Sequence, residues 1–361
     1  MLGIAHIRLD LDKTAYHKVE FPRIVLAGER VIDNMGDELK GLGLKKVGIL
    51  TSKTPYNMLR EKISRSLSGA NISHEYEIDD YSPHEVLSQR FLVKFSGKID
   101  AVVAVGGGRV IDVSKLVAEK GNISFISVPT VPSHDGIASP IVSIPSAKGR
   151  TSRFSVTPQA IFVDVTVLAN VPHKYIASGF GDVIAKYTAV RDWRLAHLLL
   201  GEYYGEYTAN QSKTCAEMVM KKSEEIGEAT KDGVRTLTEA LVNCGLLIGI
   251  AGTSRPCSGS EHLFAHALDA VANFPALHGE EVGLGTMMMT YLHDADWQGI
   301  REGLMNARAP VTAKQIGVSE GNLIKALTAT ASMRPDRYTI LGEKGLNEKA
   351  AISLAKATQV I

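Results

Sequence analysis

Three histidines in one short stretch, residues 258–281, are the part of this sequence best suited to chemistry: His262, His266 and His278. His262 and His266 are four residues apart, so on a helix they lie on the same face. Pro275 is expected to end that helix, and His278 follows just beyond it. Converging imidazole rings are a common way for a protein to hold a divalent metal ion. We therefore expect this segment to supply two metal ligands and one substrate contact.

The alternative is that His262 and His266 form only a partly exposed polar edge of a helix. Glu261 precedes the first histidine, so the sequence lacks the His-Glu-x-x-His motif of zinc proteases. Support for a metal site must therefore come from other parts of the chain.

Length and composition limit the possible classes of protein. A chain of 361 residues is expected to form two domains. Hydrophobic residues make up 45% and charged residues 22%, which is typical of a soluble globular protein. The formal net charge of +1 gives no electrostatic footprint for nucleic acid or for an anionic membrane, so neither partner is expected.

Targeting and redox signals point to the cytoplasm. The three cysteines, Cys215, Cys244 and Cys257, form no Cys-x-x-Cys pair, so a disulfide framework is not expected. Residues 1–10 carry charge too early for a secretory signal. No apolar run of 18 residues is present, so no membrane insertion is expected.

The first half of the chain alternates short β-rich runs with helical patterns. This alternation predicts βαβ units and a parallel sheet. Strands are expected near residues 24–27, 46–51, 72–78, 100–105, 123–129 and 160–164, with a strand-like piece at 19–22 and a hairpin at 140–156 that turns at 147–149. Helices are expected near residues 34–44, 55–69 and 83–96.

Helical spacing dominates from about residue 167 onward. A long helix is expected to open at Ser178, which would place Asp182 near a positive helix end. Further helices are expected at about 207–230, 233–253, 258–272 and 279–296. The chain should therefore divide into an α/β domain at residues 1–166 and an all-helical domain at residues 167–361. A cleft between two domains is the usual place for a small-molecule site.

Two loops follow strands of the expected sheet. Gly106-Gly107-Gly108 lies between an apolar strand and a helix that starts near Val110, where free N–H groups and a positive dipole end attract a pyrophosphate. It is neither the Gly-x-Gly-x-x-Gly fingerprint nor a P-loop, and the alternative is a flexible turn. The loop 130–140 is rich in hydroxyl groups and follows another strand, where open α/β sheets bind ligands. Its alternative is an ordinary turn stabilised by Ser, Asp and Gly.

The motifs and their order resemble a known family. They are Gly-Gly-Gly-Arg-Val-Ile-Asp at 106–112, Thr-Val-Pro-Ser-His-Asp-Gly at 130–136, Gly-Phe-Gly-Asp at 179–182, Ser-Glu-His-x-x-x-His at 260–266 and Leu-His-Gly-Glu at 277–280. Together they resemble the dehydroquinate synthase-like superfamily, which includes glycerol dehydrogenase and the iron-containing alcohol dehydrogenases. Within it, residues 133–136, 185–193 and 334–341 are similar to the archaeal-type sn-glycerol-1-phosphate dehydrogenase family. The resemblance extends over about residues 20–355.

The resemblance implies a role for individual residues. The metal ligands would be Asp182, His262 and His278, and the substrate contacts and catalytic residues would be Asp135, Asp182 and His266. The cofactor-binding residues would be Gly106, Gly107, Gly108, Arg109 and Val110 at the pyrophosphate, and Thr130, Val131, Pro132, Ser133 and Ser139 toward the nicotinamide.

The resemblance also implies an activity. One zinc ion per subunit would polarise the ketone of dihydroxyacetone phosphate, and NADH or NADPH would reduce it to sn-glycerol-1-phosphate. The product would serve ether phospholipid synthesis in an archaeal cytoplasm, and the enzyme would form a homo-oligomer. The proton donor stays open between His266, a metal-bound water and a ribose hydroxyl. The alternatives are a dehydrogenase of an unphosphorylated polyol such as glycerol and, less favoured, a dehydroquinate synthase-type lyase.

Two details of specificity can be read from charged residues. The strand at 46–51 is followed by Ser52-Lys53-Thr54 without a carboxylate, so Lys53 would tolerate a 2′-phosphate and NADPH should be accepted as well as NADH. The alternative is that Lys53 is simply a solvated surface residue. A phosphorylated substrate needs a cation near the metal. Lys186, Arg255 and Lys174 are the candidates for that cation.

Overall fold

The computed structural model describes residues 18–146 and 149–361. Residues 147–148 of the expected hairpin turn lie outside these ranges. The piece at 19–22 is not a strand in the structure, and the first strand begins at Ile24.

One parallel sheet and one hairpin contain the strands. Within the described ranges the strands are β1 (Ile24–Gly28), β2 (Lys46–Thr51), β3 (Ser73–Ile78), β4 (Ala101–Gly106), β5 (Ser124–Pro129), β6 (Ile141–Ser146), β7 (Gly149–Phe154) and β8 (Ala160–Asp164). Six of them form the sheet in the order β1-β8-β5-β4-β2-β3, with all neighbours parallel. Strands β6 and β7 form the separate antiparallel hairpin.

The central strands are buried on both faces, which explains their continuous apolar sequences. Every residue of β4 is buried, and side chains alternate between the two faces. Val102 and Ala104 join one hydrophobic cluster, which extends into the second half of the chain as far as Val360. Val103 and Val105 join the other cluster, on the opposite face of the sheet. The helical half therefore packs against one face of the sheet.

Four helices connect successive strands of the sheet, and the others follow its last strand. The helices of the described ranges are α1 (Met35–Gly41), α2 (Lys53–Gly69), α3 (His84–Phe95), α4 (Gly108–Gly121), α5 (Val165–Leu168), α6 (His173–Ile184), α7 (Lys186–Leu200), α8 (Glu206–Lys221), α9 (Ser223–Gly227), α10 (Lys231–Ala251), α11 (Ser260–Ala272), α12 (His278–Leu292), α13 (Trp297–Asn306), α14 (Glu320–Ala329) and α15 (Glu348–Ala357). Short 3-10 turns occur at Val31–Asn34, Asp135–Ile137, Lys314–Ile316 and Thr330–Met333. The predicted fold, a parallel α/β sheet followed by a helical region, is confirmed, whereas the domain division at residue 166 stays a prediction.

The expected start of a helix at Ser178 is wrong. Helix α6 begins at His173, directly after Pro172, because proline is well tolerated where a helix starts. Ser178 lies inside α6, where its hydroxyl donates to the Ser133 carbonyl at 3.0 Å. Asp182 consequently lies in the last turn of α6 rather than near its positive end, and α7 begins four residues later at Lys186.

Helix α10 qualifies the expectation that no segment could cross a membrane. By length and composition alone, its 21 residues are long and apolar enough to do so. However, 61% of its most apolar 18-residue window is buried inside the protein, as is usual for a core helix. Its buried residues include Leu237, Leu241 and Ile248.

Candidate active site

A cleft of about 1650 Å³ opens at the carboxyl ends of the central strands. The glycine loop follows β4 and the hydroxyl-rich loop follows β5, so both loops face this cleft. Residues from α6, α11 and the start of α12 line its other side. The cleft thus brings the two halves of the chain to one place, as expected for a ligand site between them.

The glycine loop leaves no room for side chains. A Cβ atom at Gly106 would lie 2.7 Å from the Val110 Cβ, and one at Gly108 would lie 2.3 Å from the His134 Nε2. The His134 Nδ1 accepts a hydrogen bond from the Gly136 N–H at 2.9 Å, so this ring orients its own loop. Gly107 precedes α4 and exposes its backbone to the cleft, whereas Gly106 is buried.

Arg109 lines the cleft but is engaged with a neighbouring loop. Its guanidinium donates to the Asp79 carboxylate at 2.5 Å, to the Asp79 carbonyl at 3.0 Å and to the Ser82 carbonyl at 2.7 Å. Burial raises the pKa of Asp79, but hydrogen bonds from Ser82, Arg90 and Arg109 outweigh burial and hold the pKa well below its ordinary value. Arg109 therefore fixes the loop that follows β3 at the edge of the cleft.

The loop after β5 supplies Thr130, Val131, Ser133 and Ser139 to the cleft. Pro132 is not part of the cleft wall, because its carbonyl packs against α6, 1.9 Å from where a Gly179 Cβ would lie. The structure therefore brings most of the expected nicotinamide contacts together along one wall.

Lys186 connects two expected site residues. Its ammonium group is fully buried and lies 3.0 Å from the Asp135 carboxylate and 3.1 Å from the Asp182 carboxylate. It also donates to the Asp182 carbonyl at 2.6 Å, and the Asp135 N–H donates to the Asp182 Oδ2 at 3.1 Å. Burial raises the pKa of Asp182, but Lys186 and His262 lower it far more, so this buried carboxylate keeps its charge.

Asp182, His262 and His278 converge as a possible metal-binding group. One ligand atom from each lies within 4.8 Å of the others. The His262 Nε2 is 3.5 Å from the Asp182 Oδ1, and the ring centroids of His262 and His278 are 5.2 Å apart. The buried His278 Nδ1 has no hydrogen-bond partner among the described residues. Asp182 comes from α6 and the histidines from the starts of α11 and α12, so packing of three helices creates the group.

Glu261 orients the first histidine, a role that the sequence reasoning missed. This fully buried carboxylate accepts from the His262 Nδ1 at 2.8 Å, from the Gly259 N–H at 2.6 Å and from the Thr188 hydroxyl at 2.6 Å. The bond at Nδ1 leaves Nε2 directed at Asp182. Metal-binding histidines usually have such a carboxylate partner. In the sequence, the sign of this role was the position of Glu261 directly before His262.

His266 lies beside the group without belonging to it. Its ring centroid is 5.8 Å from that of His278, and it lines the cleft. Burial, followed by the charge of His262 and those of Arg150 and Arg337, lowers the pKa of His266 to about 4. The ring is therefore neutral at neutral pH and faces the space where a substrate would lie.

A second cluster of possible ligands also includes His278, but it is less suited to a metal ion. Asp269, Glu281 and His278 also place one ligand atom each within 4.8 Å of the others. Burial and the nearby Asp269 raise the pKa of Glu281 to about 9, so this carboxyl group keeps its proton at neutral pH. Asp269 is already paired with Arg150 at 3.1 Å. A metal needs deprotonated ligands, which favours the group containing Asp182.

The end of the cleft beside β2 and β3 contains a carboxylate that sequence reasoning overlooked. Asp80 follows β3, which pairs with β2, and it lines the cleft with Ser52 and Thr54. Its Oδ1 accepts from the Lys53 N–H at 2.9 Å, whereas the Lys53 side chain is exposed and outside the cleft wall. No carboxylate follows β2, as the sequence shows, but the neighbouring strand β3 supplies one to the same end of the cleft.

The three candidate cations for a substrate phosphate are all engaged or distant. Lys186 is paired with two aspartates, and Arg255 is paired with Glu202. Lys174 lines a separate cavity, with its ammonium 5.4 Å from the Tyr175 ring centroid.

Sequence comparison with known proteins resolves the family. A family model described as iron-containing alcohol dehydrogenase matches residues 26–172. The glycerol-1-phosphate dehydrogenase [NAD(P)+] of Aeropyrum pernix is 43% identical over 350 residues, covering 96% of this chain and 99% of that protein. The chain belongs to the glycerol-1-phosphate dehydrogenase family. The protein of the same name from Thermococcus kodakarensis is 43% identical over 352 residues, with 96% and 99% of the two chains covered.

Solved structures agree on the fold of this family member. Glycerol dehydrogenase from Schizosaccharomyces pombe superposes with a TM-score of 0.79 at 20% identity, covering 95% of this chain and 91% of that one. Maleylacetate reductase from Agrobacterium tumefaciens superposes with a TM-score of 0.73 at 15% identity, covering 95% and 97%. At these identities the likeness concerns the fold alone, and the family resemblance found in the motifs is confirmed by the closer relatives.

Proposed function

We propose that the protein reduces dihydroxyacetone phosphate to sn-glycerol-1-phosphate with NADH or NADPH, using one zinc ion per subunit. The observation that carries this proposal is the convergence of Asp182, His262 and His278 in the cleft that the glycine loop also lines. The activity for which these relatives are named, glycerol-1-phosphate dehydrogenase [NAD(P)+], supports the choice of substrate and cofactor.

The residues fit a catalytic zinc ion. One carboxylate and two imidazoles are a ligand set typical of zinc and leave a coordination position for substrate. Asp182 is buried yet charged, the His262 Nε2 is presented by Glu261, and the buried His278 Nδ1 lacks a partner within the part of the chain that the structure describes. Buried polar atoms normally have partners, so this unpaired nitrogen supports the presence of an additional group.

The remaining chemistry can be assigned to the chain. When bound, zinc polarises the substrate carbonyl and the reduced nicotinamide supplies hydride. Lys186 holds Asp135 and Asp182 at fixed separation, and the Asp135 carboxylate accepts a hydrogen bond from a substrate hydroxyl. His266 contacts the substrate as a neutral ring.

The cofactor would lie across the glycine loop. The N–H groups of Gly107 and Gly108 and the start of α4 bind its pyrophosphate. Thr130, Ser133 and Ser139 contact the nicotinamide side, and Asp80 lies where an adenosine ribose would sit.

The cellular setting is part of the proposal. We place the enzyme in the cytoplasm, since Cys215, Cys244 and Cys257 are free and buried. Its product would enter ether phospholipid synthesis. The exposed apolar residues Leu198–Leu200 and Tyr207 support a homo-oligomer, because a second subunit would cover them.

Initial rates of NADH and NADPH oxidation test the function. Dihydroxyacetone phosphate should be reduced faster than dihydroxyacetone, and removal of zinc by exhaustive chelation should abolish turnover until zinc is restored. Faster turnover of the unphosphorylated ketone would indicate a polyol dehydrogenase instead. Activity that persists after all metal has been removed would reject the metal site.

Histidine variants test the division of roles. His262→Ala and His278→Ala should lose bound zinc and activity together. His266→Ala should lose activity while zinc stays bound, as measured by metal analysis of the purified protein. Loss of zinc from the His266 variant would show that the three histidines are not divided as proposed.

A further inference from the structure

One arginine in the cleft wall differs from the others in its partners. The arginines that line the cleft are Arg109, Arg150, Arg153, Arg334 and Arg337. Four of them form ion pairs: Arg109 with Asp79, Arg150 with Asp269, Arg153 with Glu119 and Arg334 with Asp336. Arg337 has no carboxylate within ion-pair distance among residues 18–146 and 149–361. It is therefore the cleft arginine whose charge is left for a ligand.

Arg337 is held in place by neutral partners. Its Nη1 donates to the Ser258 carbonyl at 2.8 Å, and its Nη2 donates to the Ser254 hydroxyl at 2.7 Å. Ser258 lies just before α11, the helix that carries His262 and His266. The guanidinium is thus fixed relative to the proposed zinc ligands. Ser254 accepts from Arg337 and keeps its own hydroxyl proton available for a ligand.

The surroundings of Arg337 make its positive charge energetically unfavourable unless an anion binds nearby. Burial and the positive charges of Arg255 and Arg334 lower the pKa of Arg337 to about 10, because they outweigh the more distant carboxylates of Glu202 and Asp336, which raise it; Arg337 therefore stays charged at neutral pH. Arg255 and Arg334 each have their own carboxylate, Glu202 and Asp336. A partly buried cation without a counter-ion is costly, and an anionic ligand would remove that cost.

We propose that Arg337 and Ser254 form the subsite for the phosphate group of the substrate. This inference rests on the proposed function and specifies how the same cleft selects a phosphorylated ketone. A guanidinium matches two phosphate oxygens with parallel N–H groups, and an adjacent hydroxyl can donate to a third. Arg337 and His266 line the same cleft, and the charge of Arg337 contributes to the lowered pKa of His266, so we place a short phosphorylated ketone between them.

Substrate kinetics of Arg337→Gln test the subsite, with Arg337→Lys as the conservative variant. Arg153→Gln is the matched control, because Arg153 lines the same cleft but is paired with Glu119. Arg337→Gln should lower kcat/KM for dihydroxyacetone phosphate by roughly 10- to 100-fold, the worth of hydrogen bonds to a charged group, mainly through KM. Rates with dihydroxyacetone should change less than about twofold, Arg337→Lys should recover part of the loss, and Arg153→Gln should match the wild type.

Two kinetic results would overturn the inference. One is an unchanged kcat/KM of Arg337→Gln for the phosphorylated ketone. The other is an equal loss on both ketones, which would mean that Arg337 supports the fold or the chemistry instead of the phosphate. Unaltered NADH binding by the variant serves as the check that it is folded.

A binding experiment separates this inference from the proposed function. If the wild type does not reduce dihydroxyacetone phosphate, the function is rejected, and calorimetric titration with inorganic phosphate still decides the subsite. The titration is done with saturating NADH, so that phosphate cannot occupy the glycine loop. Phosphate binding by the wild type that is lost in Arg337→Gln supports the subsite, and equal binding, or none to either protein, overturns it.

Discussion

Replacement of Glu261 by glutamine should weaken zinc binding while the fold is kept. The Oε1 of Glu261 accepts from both the His262 Nδ1 and the Gly259 N–H, and the Oε2 accepts from Thr188. A glutamine whose oxygen takes the Oε1 position preserves the first two bonds and presents its amide to the Thr188 hydroxyl. Geometry is therefore retained, and the negative charge behind His262 is lost.

The size of the effect follows from that lost charge. Burial raises the pKa of Glu261, but the bond from His262 outweighs burial and lowers it, so the wild-type group is ionised. Loss of such a supporting carboxylate typically weakens metal affinity by about 10- to 100-fold, which corresponds to roughly 1.4–2.7 kcal/mol. Activity at saturating zinc should return to within a few fold of the wild type, because the ligands themselves remain.

Chelator competition measures zinc affinity in the wild type, in Glu261→Gln and in a control, Glu280→Gln. Glu280 is also a partly buried acid near the group, but its carboxylate accepts from the Leu277 N–H and not from a histidine. The control should bind zinc as the wild type does. Unchanged affinity in Glu261→Gln, or the same loss in Glu280→Gln, would refute the idea that Glu261 acts through His262.

Three other substitutions test separate parts of the site. Lys186→Met should lower the free energy of unfolding in urea by roughly 3–5 kcal/mol, because it leaves the buried Asp182 and the half-buried Asp135 without their cation; a loss below 1 kcal/mol would contradict this. Asp80→Ser should shift the ratio of kcat/KM values toward NADPH by roughly tenfold, since a carboxylate favours a ribose 2′-hydroxyl over a 2′-phosphate, and an unchanged ratio would place the ribose elsewhere. The lowered pKa of Asp79 stabilises the fold above the unfolded-state pKa of about 4, and this contribution is lost as pH falls through the folded-state pKa. Asp79→Asn should therefore flatten the dependence of unfolding free energy on pH below about 4, and an equally steep wild-type and variant curve would argue against the Asp79 network.

Much of the fold could be predicted because it depends on local patterns. The apolar runs at 46–51 and 160–164 match β2 and β8, since strands buried on both faces need continuous apolar sequence. The start of α6 was predicted wrongly because Ser178 has the chemistry of an N-cap, whereas its hydroxyl actually donates to Ser133 in a neighbouring loop. A serine hydroxyl can cap a helix or bond to a neighbouring loop. Only the tertiary structure shows which of the two roles Ser178 has.

Some site residues could likewise be predicted from the sequence, and others could not. Asp135, Asp182 and the three histidines could be named because a family resemblance assigns them one by one, and the structure places them around one cleft. Asp80 could not be found by examining β2, because it reaches the cleft from β3, the neighbouring strand in the sheet. Sheet order, rather than order along the chain, decides which loops line the same end of the cleft.

The choice of a phosphate-binding cation shows why sequence distance is a poor guide. Lys186 and Arg255 lie near metal-site residues in the sequence, yet each is neutralised by carboxylates that only folding brings close. Arg337 comes from a loop far along the chain and has only neutral hydrogen-bond partners among the described residues. The residue type gives the sign of a charge, but its pairing decides whether that charge remains for a ligand. An arginine without a counter-ion in a cleft is therefore stronger support for anion binding than a cation that is merely adjacent in sequence.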